Sequence, residues 1–397
     1  MKKIAAIFLF LCLVFTPLAS CTASKADVWD GTVAEAFAGG EGTEASPFTI
    51  AKASQLAFLA AEINAGKDYA GKHFSLTRDL DLAMLDWTPI GNDTHSFNGS
   101  FDGNGHTVTN LKITNGAQIT ASTTVKENAQ HSIGLFGSCY NATIQNLSID
   151  KVEITMPIPH TVRAGALVGS AQADAHTKIS GITVSNVTIA THKEPDTLPA
   201  FLYIGGIIGY ANGTKEATYT LSRLQADAQI SVKNGHAGDN YIGGLVGRLY
   251  IRNQGDVTDC ASYLSVEVDT ENCYSTRHYF GAFGVLGSVY FNNTISVSNL
   301  YSRVTVNKIH DSFHGYSAYT ANAIAGVLDT GFRENGGYQF KNLYGCVEQI
   351  DEATGQKATA MQLYEIPQDY PGYTETSCQG CESLPEGHGF DESIWDL

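Results

Sequence analysis

Ile242–Gly247 reads IGGLVG, and variants of this glycine-rich apolar phrase return along the chain. The other copies are GLFG at 134–137, GALVG at 165–169, IGGIIG at 204–209, FGAFG at 280–284 and a degraded AIAGV at 323–327. One such phrase could belong to a phosphate-binding loop, but none of the six is followed by Lys-Ser or Lys-Thr or by a helical pattern. The repetition instead indicates a solenoid, in which equivalent coils stack on one another.

A turn residue followed by an apolar strand is the second repeated signature. Its seven turn positions recur at intervals of 35 to 43 residues and are Asn110, Asn146, Gly181, Arg223, Asp259, Asn299 and Asn342. All but Arg223 are Asn, Asp or Gly, which adopt left-handed backbone at the least cost. We therefore expect these positions to align along one axis, with Asn amides hydrogen-bonded from coil to coil. Two positions stay open: at Arg223 the turn is remodelled or the register slips, and at Gly181 the register slips if Asn186 is the turn residue instead.

The strand after each turn contains a break in its apolar alternation. The alternation within 147–149 resumes out of phase within 152–154, after one extra residue at Asp150-Lys151, and 182–189 has the same spacing. This pattern predicts two short strands that meet at a bend with both apolar sides facing inward.

An amphipathic helix is predicted ahead of the repeats. Leu56, Leu59 and Ile63 fall at helical spacing within 52–65, and Gly66 is well placed to end the helix. Such a helix would cover the apolar end of the first coil, which otherwise faces water or recruits another chain.

The composition supports an all-β fold and excludes one class of partner. The 397 residues are 43% hydrophobic and 16% charged, as in a folded protein, and 40 Gly against 10 Pro fit many short strands joined by tight turns. The formal net charge of -16 repels polyanions at long range, so we expect no nucleic-acid partner.

The first 21 residues predict export. Lys2 and Lys3 precede the apolar run Ile4–Phe15, which is long enough for a signal peptide but too short to span a membrane. The following Leu18-Ala19-Ser20-Cys21 resembles the lipobox of bacterial lipoproteins. The resemblance implies cleavage before Cys21, lipidation of Cys21 and attachment to the membrane of the cell envelope, at the outer membrane or cell surface. The alternative is an ordinary cleavage site with a free Cys21.

Six cysteines follow Cys21, and their pairing is open. They are Cys139, Cys260, Cys273, Cys346, Cys378 and Cys381, and six cysteines allow fifteen pairings. Cys378 and Cys381 form a single CxxC without the second pair of ligands that a zinc site needs. A local disulfide or two free thiols is the favoured interpretation there.

The glycine phrases, together with strands such as Val297–Ser302, resemble the GLUG-motif repeats of bacterial surface and adhesin-like proteins. The lead-in phrases SPFTI at 46–50, WTPIG at 87–91 and FDGNGHTV at 101–108 are also similar. The resemblance covers most of 46–350 and implies a right-handed parallel β-helix, but it carries over no catalytic residue. We expect a signal peptide at 1–20, a tether and lead-in at 21–48, a cap and first coil at 49–115, repeats at 116–350 and a C-terminal cap or tail at 351–397.

The parallel β-helix is also the fold of polysaccharide lyases and glycoside hydrolases, so some acidic residues are candidate catalysts. Asp79 and Asp81 lie two apart on one side of a strand, and Asp102 and His106 flank a Gly-Asn-Gly turn. The favoured interpretation is structural: Asp79 and Asp81 lie on the outer face of a strand whose Leu80 and Leu82 point inward, and Asp102 and His106 bond to turn backbone. His310 and His314 resemble a zinc pair but lack the expected Glu and a helix, so we expect neither a metal nor another cofactor.

A solenoid presents equivalent outward side chains on each coil, which suits binding. Tyr301 and Tyr344 each lie two residues after a turn, where they could offer a stacking surface to a ligand or simply stack on each other. The predicted function is a surface-anchored lipoprotein whose β-solenoid binds a glycan or an extracellular protein in an adhesin-like role. The alternative is a carbohydrate-active β-helix enzyme.

Overall fold

The computed structural model describes residues 26–114, 130–157, 161–192, 201–233, 240–269, 278–291, 294–310, 317–322, 324–329, 337–350, 357–360, 374–376 and 378–380. The described elements are one helix, α1 (Ala53–Asn64), and 27 strands. The strands are β1 Asp27–Val28, β2 Phe48–Ile50, β3 His73–Leu76, β4 Leu80–Asp81, β5 Ser100–Asp102, β6 Thr107–Thr114, β7 Gln130–Ile133, β8 Phe136–Tyr140, β9 Thr143–Pro157, β10 Thr161–Ala164, β11 Val168–Ala173, β12 His176–His192, β13 Leu202–Gly205, β14 Ile208–Gly213, β15 Thr218–Lys233, β16 Asn240–Gly243, β17 Val246–Ile251, β18 Gln254–Asp269, β19 His278–Phe283, β20 Leu286–Phe291, β21 Thr294–His310, β22 Ser317–Asn322, β23 Ala325–Asp329, β24 Gly337–Ile350, β25 Lys357–Ala360, β26 Thr374–Thr376 and β27 Gln379–Gly380.

These strands form three sheets that run along the stack. Sheet A contains the long strands in the order β1-β4-β6-β9-β12-β15-β18-β21-β24-β25, with shorter strands attached at its two ends. Sheet B is β8-β11-β14-β17-β20-β23, and sheet C is β7-β10-β13-β16-β19-β22. The strands pair in parallel with their equivalents one coil away, and β25 runs antiparallel to β24. The predicted parallel β-solenoid is confirmed.

Each coil follows the same path. A short strand of sheet C leads through a glycine phrase into a strand of sheet B, and a brief turn leads on into a long strand of sheet A. Successive sheet A strands bury an apolar side chain directly after the turn position, as at Leu147, Ile182, Leu224, Leu300 and Leu343, which are all at most 1% exposed. The continuous apolar interior of the stack is therefore built from equivalent positions of successive coils.

The predicted left-handed turns are present. Register pairs that flank the turns place Asn146, Gly181, Arg223, Asp259, Asn299 and Asn342 opposite one another, with φ between 52° and 63°. Asn342 Nδ2 donates to Asn299 Oδ1 at 2.9 Å, and Asn299 Nδ2 donates to Asp259 Oδ1 at 2.8 Å. We call these six positions the Asn column. The turn at Arg223 is not remodelled, because Arg223 adopts the same left-handed conformation as its neighbours.

The prediction for Asn110 was wrong. The pairing of β6 with the second half of β9 sets Asn110 opposite Lys151, not Asn146, and Lys151 in turn lies opposite Asn186. These three residues are left-handed as well and form a second column at the predicted phase break. The position opposite Asn146 in the first coil is Gly103, because β5 pairs with the first half of β9. Asn186 and Gly181 are therefore turn residues of different columns.

The glycine phrases bring backbone against backbone. A Cβ on Gly169 would lie 2.2 Å from the backbone nitrogen of Ile133 in the preceding coil. For Gly209 the corresponding distance to Ala164 N is 2.4 Å. Atoms cannot approach this closely, so sheets B and C meet at a corner that only glycine permits.

One copy of the phrase is shifted from its predicted position. Strand pairing places Ala282 opposite Ile242 and Phe283 opposite Gly243, so the equivalent of IGGLVG is AFGVLG at 282–287. The predicted copy at 280–284 began two residues early because Gly281 is not a corner residue: it lies opposite Tyr241 on a sheet C strand.

Helix α1 caps the N-terminal end of the core, as predicted. It buries Leu56, Leu59 and Ile63 against the same apolar cluster that runs through the coils. The Asp27 carboxylate accepts a hydrogen bond from Ala53 N at 2.9 Å, which satisfies a free amide in the first turn. Gly66 follows the helix with φ +93°, as expected for a helix stop.

The cysteine pairing stays open in part. Cys139 and Cys260 have buried thiols in the core, and burial raises the pKa of Cys260 to about 12 and raises that of Cys139 as well. Cys273 and Cys381 lie outside the described residues, so the predicted disulfide or thiols of the CxxC are untested.

We expect Gly209→Ala and Gly247→Ala each to lower the free energy of unfolding by about 3 kcal/mol, because the new methyl group overlaps backbone that cannot move aside. The control is Gly39→Ala, whose Cβ would meet nothing closer than Thr49 Oγ1 at 3.4 Å. Chemical denaturation measures the difference. Equal stability of the three variants would contradict the backbone corner.

Arg223→Asn is expected to raise the free energy of unfolding by about 1 kcal/mol, because Asn adopts left-handed backbone at lower cost than Arg. Arg223→Ala removes the same charge but keeps the left-handed penalty, so it should give no gain. Thermal and chemical denaturation compare the two variants. An Asn variant no more stable than the Ala variant would show that the column does not favour Asn at this position.

Candidate functional site

The carboxylates considered as catalysts are engaged in turns. Asp81 Oδ1 accepts hydrogen bonds from Ala83 N at 2.8 Å and from Asn110 Nδ2 at 2.7 Å. Asp79 Oδ1 lies 3.2 Å from His106 Nδ1. These contacts give the acidic side chains structural partners, which supports the structural interpretation of Asp79 and Asp81.

Asp102 has the same role. Its Oδ1 accepts from Asn104 N at 2.7 Å and from Asn146 Nδ2 at 3.2 Å, and its Oδ2 accepts from Gln145 Nε2 at 2.8 Å. Asp102 therefore stabilises the turn after β5 and continues the hydrogen bonds of the Asn column into the preceding coil.

The predicted tyrosine pair is buried. Tyr301 lies directly opposite Tyr344 across β21 and β24, with exposed fractions of 5% and 3%, and Tyr263 packs against the pair. Little ring surface is available to a ligand, so this structure does not favour their predicted contact with one. The predicted lipidation site Cys21 and the residues from 311 to 316, which include His314, lie outside the described residues.

A different set of aromatic and basic side chains is concentrated on the outer faces of sheets B and C. We call it the arginine–tyrosine patch, and its members are Arg163, Tyr203, Tyr210, Tyr241, Arg248 and Tyr250. On sheet C, Arg163, Tyr203 and Tyr241 follow one another in register in successive coils. On sheet B, Ser170, Tyr210 and Arg248 do the same.

The glycine corner brings these two rows together. Arg163 Nη1 lies 3.4 Å from Ser170 Oγ, although one residue belongs to sheet C and the other to sheet B. The Tyr203 and Tyr210 rings likewise stack across the corner, with centroids 5.1 Å apart. The patch is therefore a direct product of the backbone contact that glycine permits.

The tyrosine rings form an ordered wall. Tyr203 and Tyr241 stack at 5.9 Å with an interplanar angle of 3°, and the Phe201 ring continues the row at 6.3 Å from Tyr203. Tyr203 and Tyr241 are 7% and 8% exposed, whereas Phe201 is 42% exposed. The wall is rigid at its centre, and Phe201 is its accessible end.

Both guanidinium groups lie against this wall. Arg163 Cζ is 4.5 Å from the centroid of Tyr210, and Arg248 Cζ is 5.5 Å from the centroids of Tyr203, Tyr241 and Tyr250. Arg248 Nη1 donates a hydrogen bond to the Tyr203 hydroxyl at 3.1 Å. Cation–π contacts of this kind hold the guanidinium in place while leaving N–H donors available.

The charges of the two arginines are not neutralised by a close carboxylate. In the described part of the chain no Asp or Glu oxygen lies within 4.0 Å of either guanidinium, and both Nε atoms are buried without a hydrogen-bond partner. Burial lowers the pKa of Arg163, the more distant Asp93 opposes this effect, and the positive charge of Arg248 adds to it. Burial also acts to lower the pKa of Arg248, but Tyr203, Tyr210 and Tyr241 together raise it. Arginine stays protonated at neutral pH, so two partly desolvated cations face this surface.

The residues that flank the glycine phrases are the signal for this patch in the sequence, and no catalytic motif contains them. Arg163, Tyr203 and Tyr241 each lie two residues before the first glycine of a phrase, and Tyr210 and Arg248 each follow its last glycine. Alignment of the phrases with their flanking residues would have placed these side chains together. Only the structure of the corner shows that the residues before a phrase contact the residues after it.

A second concave feature lies at the capped end of the solenoid. It is a pocket of about 440 Å³ whose aromatic lining includes Phe37, Phe48 and Tyr69. Its Lys67 already pairs with Glu62, and its rings pack edge to face as a small core. Among the described residues no three His, Cys, Asp or Glu side chains come close enough together to hold a metal ion. The arginine–tyrosine patch is therefore the stronger candidate site.

Comparison with known proteins gives partial matches. No protein-family model matches the chain. It is 31% identical over 185 residues, 44% of its length, to a "Putative Gly-rich membrane protein" of Evansella cellulosilytica, and 29% identical over 190 residues, 45% of its length, to "Halomucin" of Haloquadratum walsbyi. These matches span 18% and 2% of the relatives. Across the described residues no helix has the length and apolar character needed to cross a membrane.

A solved structure supports the fold. The crystal structure of a "putative immunoglobulin A1 protease" from Bacteroides ovatus is similar with a TM-score of 0.52, over 87% of each chain, at 18% sequence identity. At this level of identity the similarity extends to the fold alone.

Proposed function

We propose that the protein is a lipid-anchored surface protein of the GLUG-repeat type, whose β-solenoid binds an extracellular partner in an adhesin-like role. The observation that carries this proposal is the arginine–tyrosine patch, in which two half-buried guanidinium groups and the exposed Phe201 ring lie over buried tyrosine rings from successive coils. Aromatic and arginine side chains are the types that dominate binding energy at interfaces.

The rigid placement of the patch also supports binding. Its side chains project from strands that are paired on both sides, so the positions of the rings and guanidinium groups are fixed before a ligand arrives. A preorganised surface loses less conformational entropy on association. A stack of equivalent coils is well suited to present such a surface away from the cell.

The enzymatic alternative receives less support. Asp81 and Asp102 accept two or more hydrogen bonds each from neighbouring turns and from the Asn columns, and Asp79 contacts His106. A general acid or nucleophile needs a carboxylate free to meet the substrate. We therefore favour a structural role for all three.

The relatives are consistent with a place at the cell surface. One is described as a membrane protein and the other as a halomucin, and the matched segments are parts of much longer chains. We extend a surface location to this chain on that basis, together with the lipobox resemblance at Leu18–Cys21.

Cys21→Ala is expected to abolish incorporation of a metabolic acyl probe and to release the protein from the membrane fraction. Cys378→Ala is the matched control and should label like the wild type. Protease treatment of intact cells should remove the wild-type protein if it faces outward. Labelling of Cys21→Ala, or full protection from the protease, would contradict the anchored surface location.

Incubation of the purified wild-type protein with a panel of polysaccharides is expected to give no shortened chains, while binding to at least one extracellular glycan or protein should be measurable. Chromatographic detection of products checks the first expectation. Product formation that is lost in Asp79→Asn or Asp81→Asn, with folding intact, would favour the carbohydrate-active enzyme instead.

A further inference from the structure

We propose that the arginine–tyrosine patch binds an anionic saccharide, with its carboxylate or sulfate groups held by Arg163 and Arg248. This inference rests on the proposed binding function and names the ligand class of the same face.

The local charge of the patch favours an anionic group, although the net charge of -16 repels anionic polymers at long range. This face carries two arginines with no carboxylate within 4.0 Å in the described residues. Asp93 lies beyond that distance from Arg163, accepts a hydrogen bond from Ser132 and offsets only part of the effect of burial on the pKa of Arg163. Burying a cation without a paired anion is unfavourable. Elsewhere on the solenoid Arg303 is paired with Glu348, unlike the two arginines of the patch. A bound anion would supply the missing partner at the patch.

The spacing of the two cations suits an extended ligand. Arg248 is related in register through Tyr210 to Ser170, which belongs to the same coil as Arg163. The arginines are therefore two coils apart, or about 10 Å along the axis at the usual strand spacing. At this separation the positive charge of Arg248 still acts to lower the pKa of Arg163. Two negative groups on non-adjacent units of one saccharide chain would relieve this repulsion.

The neighbouring side chains offer partners for hydroxyl groups. Next to the row of Ser170, Tyr210 and Arg248, a row of polar residues runs in register along sheet B, from Gln172 through Asn212. Hydroxyl-rich ligands need such alternating donors and acceptors, and the exposed Phe201 ring offers a flat surface for a sugar ring.

A saccharide fits this face better than an acidic peptide does. Peptides commonly add a strand to an open sheet edge or insert an apolar side chain into a groove. Here the strands that carry the patch are hydrogen-bonded on both sides, so no sheet edge is available. The central rings are buried by one another, which leaves no apolar groove between them.

The test is calorimetric titration of the full mature protein with four probes of similar length. They are an oligogalacturonate for carboxylates, a heparin-derived oligosaccharide for sulfates, a neutral dextran oligomer and poly-glutamate. We expect binding of one or both anionic saccharides, weakened by added salt. Arg163→Gln and Arg248→Gln should each lower the affinity about 10-fold, as loss of a charge-assisted hydrogen bond implies. Arg223→Asn is the control, since it removes one positive charge from sheet A, and it should leave the affinity unchanged.

A second measurement on the unmodified protein protects the test against variants that fail to fold. Saturating anionic saccharide should slow the modification of Arg163 and Arg248 by phenylglyoxal, as mapped by mass spectrometry, and should not slow that of Arg223. Unchanged modification rates, equal affinity for the dextran, or tighter binding of poly-glutamate would overturn the inference. The proposed binding function would still stand if another glycan or an extracellular protein binds, and acyl labelling and protease accessibility test the anchored location separately. Absence of binding to any partner would contradict both proposals.

Discussion

The contact between the backbones of sheets B and C is the constraint on which the rest of the structure depends. A Cβ added to Gly169, Gly209 or Gly247 would lie less than 3 Å from the backbone of the preceding coil. This close approach fixes how sharply each coil turns, and therefore how the sheet A strands align in register. It also brings the outward side chains of two sheets together, so the corner that closes the coil builds the arginine–tyrosine patch as well.

Much of this fold could be predicted from sequence because its signals are local and repeated. The left-handed positions at Asn146, Asp259 and Asn299 are visible as turn residues before apolar strands, and all were found where expected. Asn110 misled the prediction for a physical reason: it has the same local signature, but the first coil contributes two separate strands to the pairing with β9. Register between strands is a non-local property that a local signature does not contain.

The candidate site was harder to predict for the same reason. The acids at catalytic spacing are Asp79, Asp81 and Asp102. In the structure their carboxylates instead contact His106, Asn110 and Asn146. Equivalent side chains of the patch in successive coils are about forty residues apart in sequence, and only stacking brings Tyr203 and Tyr241 into contact. In a solenoid, function can arise from equivalent positions of successive coils, whereas a motif search compares residues that are close in sequence.

The direction of the amide hydrogen bonds gives the stack a polarity. Asn342, Asn299, Asn186, Asn146 and Asn110 all donate Nδ2 toward the coil before them, and the runs end on Asp259, Asp150, Asp102 and Asp81. A carboxylate accepts without donating, so each run has a natural terminus. Gly181 and Arg223 interrupt the hydrogen-bonded runs of the Asn column. The coils between one terminal Asp and the next therefore form a unit with its own side-chain hydrogen bonds, which we call a cassette. Such cassettes could be duplicated or deleted as units, always in the same orientation, without leaving an amide unpaired.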